Sequence, residues 1–165
     1  MTIRGYRPDD LAAVHAINQA EVPAVGSVGP DELAHIAAES TISLVAVVDG
    51  GIAGFCLVLP PGADYGSSNY AWFAERYDDF VYLDRVAISP AFQRRGLGRA
   101  MYTEVERLVP ERCPTARHFL LEVNLRPRND RSLAFHAGLG FDEVGRREKD
   151  DDVTVAMLAK PLAAT

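Results

Sequence analysis

The apolar run VYLDRVAI (Val81–Ile88) passes straight into SPAFQRRGLGRAM (Ser89–Met101). Leu97, Met101, Val105 and Leu108 then recur at i, i+4, i+8 and i+11, the spacing of one helix face. This strand–loop–helix order restricts the fold more than any other stretch. The helix must begin at the strand's end, with its free N–H groups and positive dipole end directed at whatever lies there. Gly96 and Gly98 let the backbone approach a ligand closely, and Arg94, Arg95 and Arg99 add positive charge. The loop therefore reads as an anion site, with a solvated basic turn as its plain alternative. It is not a Walker loop, because no Gly-Lys-[Ser/Thr] follows. Nor is it the dinucleotide fingerprint, since Met101 stands where that pattern needs a third small residue.

The rest of the chain alternates strand-like and helix-like segments. Ile3–Tyr6 is a short strand candidate, and Pro8 and Asp9 open a helix carrying Leu11, Val14 and Ile17. EVPAVGSVGPDEL reads as a loop into a second helix around Asp31–Ala38. Ser43–Leu59 reads as a hairpin closed by Asp49-Gly50-Gly51. PPGADYGSSNYAWFAERYDDF is long, aromatic and without a clear period. After the glycine loop and its helix come a strand at His118–Asn124 and a helix at Asn129–Ala137, which Gly138 and Gly140 can end. FDEVGRREKDDDVTVAMLAKPL supplies two final strands around a charged turn. This order predicts an α/β (α+β) protein with a mixed sheet covered by helices on both faces. Residues 1–165 are expected to form a single domain, a length that buries a sufficient core.

Charge and cysteine content remove several classes. A net charge of -6 argues against a chain that coats nucleic acid, so no nucleic-acid partner is expected. Only two cysteines occur, Cys56 and Cys113, with no metal-ligand spacing, and Cys56 reads as a small core residue. MTIRGYRPDD contains no apolar signal segment and no run reaches membrane-spanning length, so a cytoplasmic location without membrane contact is expected.

The strand, Q-x-x-G-x-G and helix resemble the pyrophosphate-binding motif of the GNAT superfamily of N-acetyltransferases, with LDRVAISPAF similar to that family's bulged fourth strand and turn. NDRSLAFHAGLGF (Asn129–Phe141) is similar to its second hallmark, an Asn, a short helix, an aromatic pair and Leu-Gly-Phe. The resemblance covers nearly the whole chain. It implies a mostly antiparallel central sheet of about six to seven strands and acetyl-CoA as co-substrate, with no metal. The backbone of Arg94, Arg95, Gly96, Leu97, Gly98 and Arg99 would hold the pyrophosphate. Val86, Ala87 and Ile88 would pair with the pantetheine arm as if it were an added strand. The Val86 N–H would donate to the thioester carbonyl. Asn129 matches a position whose amide reaches the cofactor, and its alternative is an N-cap of the following helix.

An amine must lose a proton before it attacks, and a departing thiolate must gain one. Glu122 is the base candidate, because family members place a Glu here and a carboxylate in the apolar strand FLLEVN is costly unless paired or functional. A salt bridge to a neighbouring Arg is the alternative. His136 stands where the family often has Tyr; it is either the proton donor, with an ordinary pKa near ~6.5, or a packing residue. The LRPR linker before Asn129 is longer than the simplest family pattern. Glu21 or Asp84 would attract an acceptor ammonium, and Tyr70 and Trp72 belong to an aromatic wall over it. The alternatives are that Asp84 pairs with Arg85 and that the aromatics pin a long loop. No cysteine has a nucleophile's setting, which favours direct attack in a ternary complex. The expected activity is transfer of acetyl to a primary amine, with a small molecule or amino acid as partner. A homodimer is left open, and the rival reading is a non-catalytic acyl-CoA-binding sensor or interaction module.

Overall fold

In this computed structural model, which describes residues 1–163, the strands are β1 (Thr2–Gly5), β2 (Ile42–Val48), β3 (Gly51–Leu59), β4 (Phe80–Ile88), β5 (His118–Arg126), β6 (Asp142–Asp150) and β7 (Val153–Pro161). The helices are α1 (Leu11–Ala20), α2 (Pro30–Glu39), α3 (Ser68–Ala74), α4 (Leu97–Arg112) and α5 (Asp130–Gly138). Asp49 and Gly50 both take positive φ, 50° and 80°, which matches the twist of the β2–β3 hairpin they close.

The strands form one seven-stranded sheet in the order β1-β2-β3-β4-β5-β7-β6. Every neighbouring pair is antiparallel except β4 and β5. That parallel pair holds only through Phe80–His118, Val81–Phe119 and Tyr82–Leu120. Beyond it β4 stays on β3 as far as Ile88, while β5 follows β7 to Arg126. A wedge opens between them, and the β5-facing edge of β4 is unpaired from Leu83 onward. Leu57 pairs with Arg85 and Val58 with Leu83, so Asp84 is the extra residue of a bulge that bends β4 at the mouth of the wedge.

Period-two alternation divides the core between the two sheet faces. Leu44, Cys56, Val81, Phe119 and Leu121 pack with Met101 and Val105 of α4 and with Phe141. Val45, Phe55, Leu57, Tyr82 and Leu120 pack with Val14, Leu33, Ile36 and Phe73 of α1, α2 and α3. Helices thus cover both faces, as the element order predicts. The segment from 60 to 80, expected to be irregular, contains α3. The Ser67 side chain caps it by accepting the Tyr70 N–H at 3.3 Å, and Tyr70 and Phe73 bury their rings against Tyr82. Helix α4 continues past Leu108 through Pro110 to Arg112. Among the described residues no helix is long and apolar enough to cross a membrane.

Trp72 packs the edge of its ring against Gly145 of β6. A Cβ built on Gly145 would stand 2.6 Å from its ring, so that strand has no room for a side chain there. Gly145→Ala is therefore expected to destabilise the protein by about 1–3 kcal/mol through overpacking, read as a lowered thermal midpoint. An unchanged midpoint would show that the Trp72 ring moves freely.

Candidate active site

The glycine loop is built to leave backbone donors free. Arg94 and Gly96 take positive φ, 63° and 81°, and Gly96 is the N-cap of α4 with no side chain capping the helix. Alternation of left-handed residues in a turn turns successive N–H groups toward one concavity, and the first turn of α4 adds its own. Gly98 sits under α5, where an added Cβ would meet the Phe135 ring at 3.6 Å. Arg94 and Arg99 border the same cavity, as does Arg131 of α5. Arg95 instead turns its guanidinium over Phe92, 5.2 Å from the ring centre. The Gln93 amide donates to the Ile88 carbonyl at 3.0 Å and to Glu21 at 2.8 Å, which docks the α1–α2 loop on the glycine loop.

The wedge between β4 and β5 is occupied by a cavity of about 810 Å³ that runs from this loop to the β6–β7 hairpin. Val86, Ala87 and Ile88 border it from β4, and Leu121, Glu122 and Val123 from β5. The unpaired β4 edge, the glycine loop, Asn129, Glu21 and Asp84 are therefore all brought to one space.

Glu122 faces the α3 side of the sheet, as Leu120 does. Its carboxylate accepts the Tyr82 hydroxyl at 2.7 and 2.8 Å and the Asn69 amide at 3.0 Å. No arginine pairs with it among the described residues. Burial pushes its pKa up to about 7, with the negative charge of Asp84 helping; the two hydrogen bonds and the Lys149 charge act in the opposite direction. Such a carboxylate exchanges a proton at neutral pH.

His136 is buried and both of its ring nitrogens are engaged. Nδ1 lies 2.7 Å from the Ser132 carbonyl, which can only accept, so Nδ1 carries the proton. Nε2 then accepts the Tyr102 hydroxyl at 2.7 Å. Burial lowers the His136 pKa, so the ring is neutral at pH 7 and has no proton to give from Nε2. The Asn129 side chain caps α5 by accepting the Ser132 N–H at 3.1 Å, and the residue also borders the cavity.

The acceptor-side candidates divide. Glu21 borders the cavity in contact with Gln93. Asp84 also borders it, but its carboxylate is held by Arg85 at 2.7 Å and by the Tyr65 hydroxyl, the pairing alternative noted from the sequence. Arg85 in turn donates to Asn18 and to the Gly26 carbonyl. Tyr70 and Trp72 stand outside the cavity. The Tyr70 hydroxyl donates to the Pro60 carbonyl and accepts the Ala63 N–H, so it pins the loop, and Trp72 packs between Gly145 and Arg76. Sequence reasoning missed Asn69, Tyr82, Tyr102 and Lys149. Tyr82 was findable from the two-residue period of β4, but Asn69 lay in the stretch without a period. Cys56 is fully buried and burial pushes its thiol up to about 12, the wrong direction for a nucleophile.

The sequence matches the family model described as Acetyltransferase (GNAT) family over residues 11–141. A search of curated proteins gave no match. Among solved structures, Ard1 from Thermoplasma volcanium superposes with a TM-score of 0.79 at 19% identity, over 98% of this chain and 97% of that one. The ribosomal-protein-alanine N-acetyltransferase from Brucella melitensis gives 0.75 at 20% identity, over 98% and 100%. The GphF GNAT-like decarboxylase, solved in complex with isobutyryl-CoA, gives 0.77 at 20% identity, over 99% and 100%. At these identities the likeness is one of fold. The family match, by contrast, includes both the glycine loop before α4 and the Asn129–Phe141 segment that contains α5, and the chain belongs to the GNAT family of acetyltransferases.

Proposed function

We propose that this protein is an acetyl-CoA-dependent N-acetyltransferase that acts on a primary amine of a small molecule or amino acid, with Glu122 as its base. The observation that carries the reading is a carboxyl poised near neutrality, its pKa pushed up to about 7, across the wedge from an unpaired strand edge. A sensor that only binds acyl-CoA has no need of such a group there. Two of the solved relatives are named as an N-acetyltransferase and an isobutyryl-CoA complex, which supports amine chemistry and an acyl-CoA ligand.

The residues present fit acyl-CoA. The left-handed pair Arg94 and Gly96, with the uncapped start of α4, suits a pyrophosphate, and Arg94, Arg99 and Arg131 add charge. The open edge of Val86–Ile88 suits an extended amide-bearing arm. When bound, acyl-CoA supplies a thioester carbon open to attack. Glu122 takes a proton from the incoming ammonium, through a water, and passes it to solvent; the second proton that the nitrogen sheds as the amide forms leaves the same way. The Val86 N–H steadies the negative charge that grows on the thioester oxygen. Asn129 holds the start of α5 beside the cavity, and His136 holds the Tyr102 hydroxyl there, so the departing thiolate draws its proton from solvent. Glu21 offers negative charge to the acceptor, whereas Asp84 acts through Arg85 to fix the α1–α2 loop.

Thermal unfolding with separate ligands tests the pocket. Acetyl-CoA or CoA at ~100 times its dissociation constant should stabilise the fold by roughly 2.7 kcal/mol, while ATP and NADH should do little. A response to ATP or NADH alone would overturn the reading. Turnover of acetyl-CoA with a panel of primary amines tests the base. Glu122→Gln should lower kcat about 10²-fold or more with the KM for acetyl-CoA little changed, and undiminished kcat would remove Glu122 from the chemistry. For the native protein kcat/KM should rise with pH through about 7, because only the carboxylate form accepts a proton.

A further inference from the structure

A polar chain runs from Arg147, outside the cavity, through Asn69 in its wall to Glu122. Arg147 of β6 donates to the Asn69 side-chain oxygen and, at 3.0 Å, to the Ser68 hydroxyl. The Asn69 nitrogen donates to Glu122 at 3.0 Å. The three residues come from β6, α3 and β5, so nothing local in the chain requires them to meet. Asn69 is only 4% exposed, and a buried amide must satisfy both of its ends.

Hydrogen-bond chemistry makes the chain directional. A guanidinium only donates and a carboxylate only accepts, whereas an amide does each at one end. An Asn between them has one favourable orientation. Flipping it would set its NH₂ against the guanidinium and its oxygen against the carboxylate. We infer that Asn69 and Arg147 are positioning residues for Glu122: Arg147 locks the Asn69 amide in the orientation that donates to the carboxylate. The inference rests on the reading of Glu122 as the base.

The consequence concerns the base's protonation. Asn69 and Tyr82 both offer donors to Glu122, an arrangement that favours the carboxylate; on protonation the Tyr82 hydroxyl can turn to accept, whereas the Asn69 NH₂ can only donate. The other charged or titratable groups near Glu122 are Asp84 from β4, which disfavours the charged form, and Lys149 from β6, which favours it. Tyr102 of α4 stays neutral, held so by burial. Asn69 is the donor among these whose orientation depends on a remote residue. Removing it, or releasing it by loss of Arg147, takes away stabilisation of the carboxylate. The proton is then held to higher pH, and less of the base is available at neutrality.

The test needs no acceptor. Full-length protein carrying glutamate labelled with carbon-13 at the side-chain carboxyl is titrated by NMR, and the resonance missing from Glu122→Gln identifies Glu122. The native midpoint should lie near 7. Asn69→Ala should raise it by about one to two units, the scale of a single lost charge-assisted hydrogen bond. Arg147→Met should move it the same way by less, and Arg147→Lys, which keeps a donor, should return it toward the native value. Should Asn69→Ala fold poorly, the Arg147 pair carries the test alone. Midpoints unmoved or lowered in these variants would overturn the inference and reduce the chain to packing. The kinetics of Glu122→Gln report separately on the base, so loss of one reading is distinguishable from loss of the other.

Discussion

Two parallel strands that part company after three residue pairs create the site. A sheet normally satisfies both edges of an interior strand, and unpaired backbone N–H and C=O groups away from water are expensive. Here β4 is an interior strand with one edge paired to β3 from Tyr82 to Ile88 and the other paired to β5 only from Phe80 to Tyr82. The chain tolerates this because the gap is a cavity of about 810 Å³ where water or a ligand can pair with that edge. The bulge at Asp84, the glycine loop beyond Ile88 and the turn of β5 toward β7 are all geometric companions of the same parting.

The same opening explains how a carboxylate survives within an apolar strand. Leu120 and Val123 beside Glu122 are buried. Glu122 borders the wedge, and Tyr82 and Asn69 supply donors from a strand and a helix far away in sequence. Burial and the Asp84 charge oppose the two hydrogen bonds and the Lys149 charge, and the balance falls near neutrality rather than at either extreme. His136 shows the contrary outcome. Burial displaces its titration to lower pH against the opposing Ser132 hydrogen bond, and with both nitrogens taken up by Ser132 and Tyr102 its part is to hold a hydroxyl.

Much of the architecture was legible in the sequence because it rests on local rules. The Asp49-Gly50 turn, the Leu97–Leu108 stripe and the strand-to-glycine transition each declare themselves within a dozen residues. Helix α3 did not, because Tyr70, Trp72 and Phe73 show no polar and apolar faces until α3 is laid between β4 and β6. The site was half legible for the same reason. Residues on named motifs, such as Glu122, Gly96 and Asn129, were found where the strand and helix signals put them. Asn69 and Arg147 were not, since their meeting depends on β6 being laid beside β7 at the far side of the sheet. Tyr70 and Trp72 mislead because an aromatic on a loop looks the same whether it covers a ligand or anchors the loop.

The outer borders of the sheet bear on what the wedge can select. Strand β1 is four residues long, and β6 presents Arg146, Glu148 and Asp150 along an exposed edge. Short length and charge both discourage another polypeptide from extending a sheet. The free edge of β4 from Leu83 to Ile88 carries the Asp84–Arg85 ion pair before the apolar Val86–Ile88, and it is recessed in the wedge beside β5 rather than displayed at the rim. A chain that added to this sheet would therefore meet the free backbone groups of β4 inside a cavity rather than at the rim.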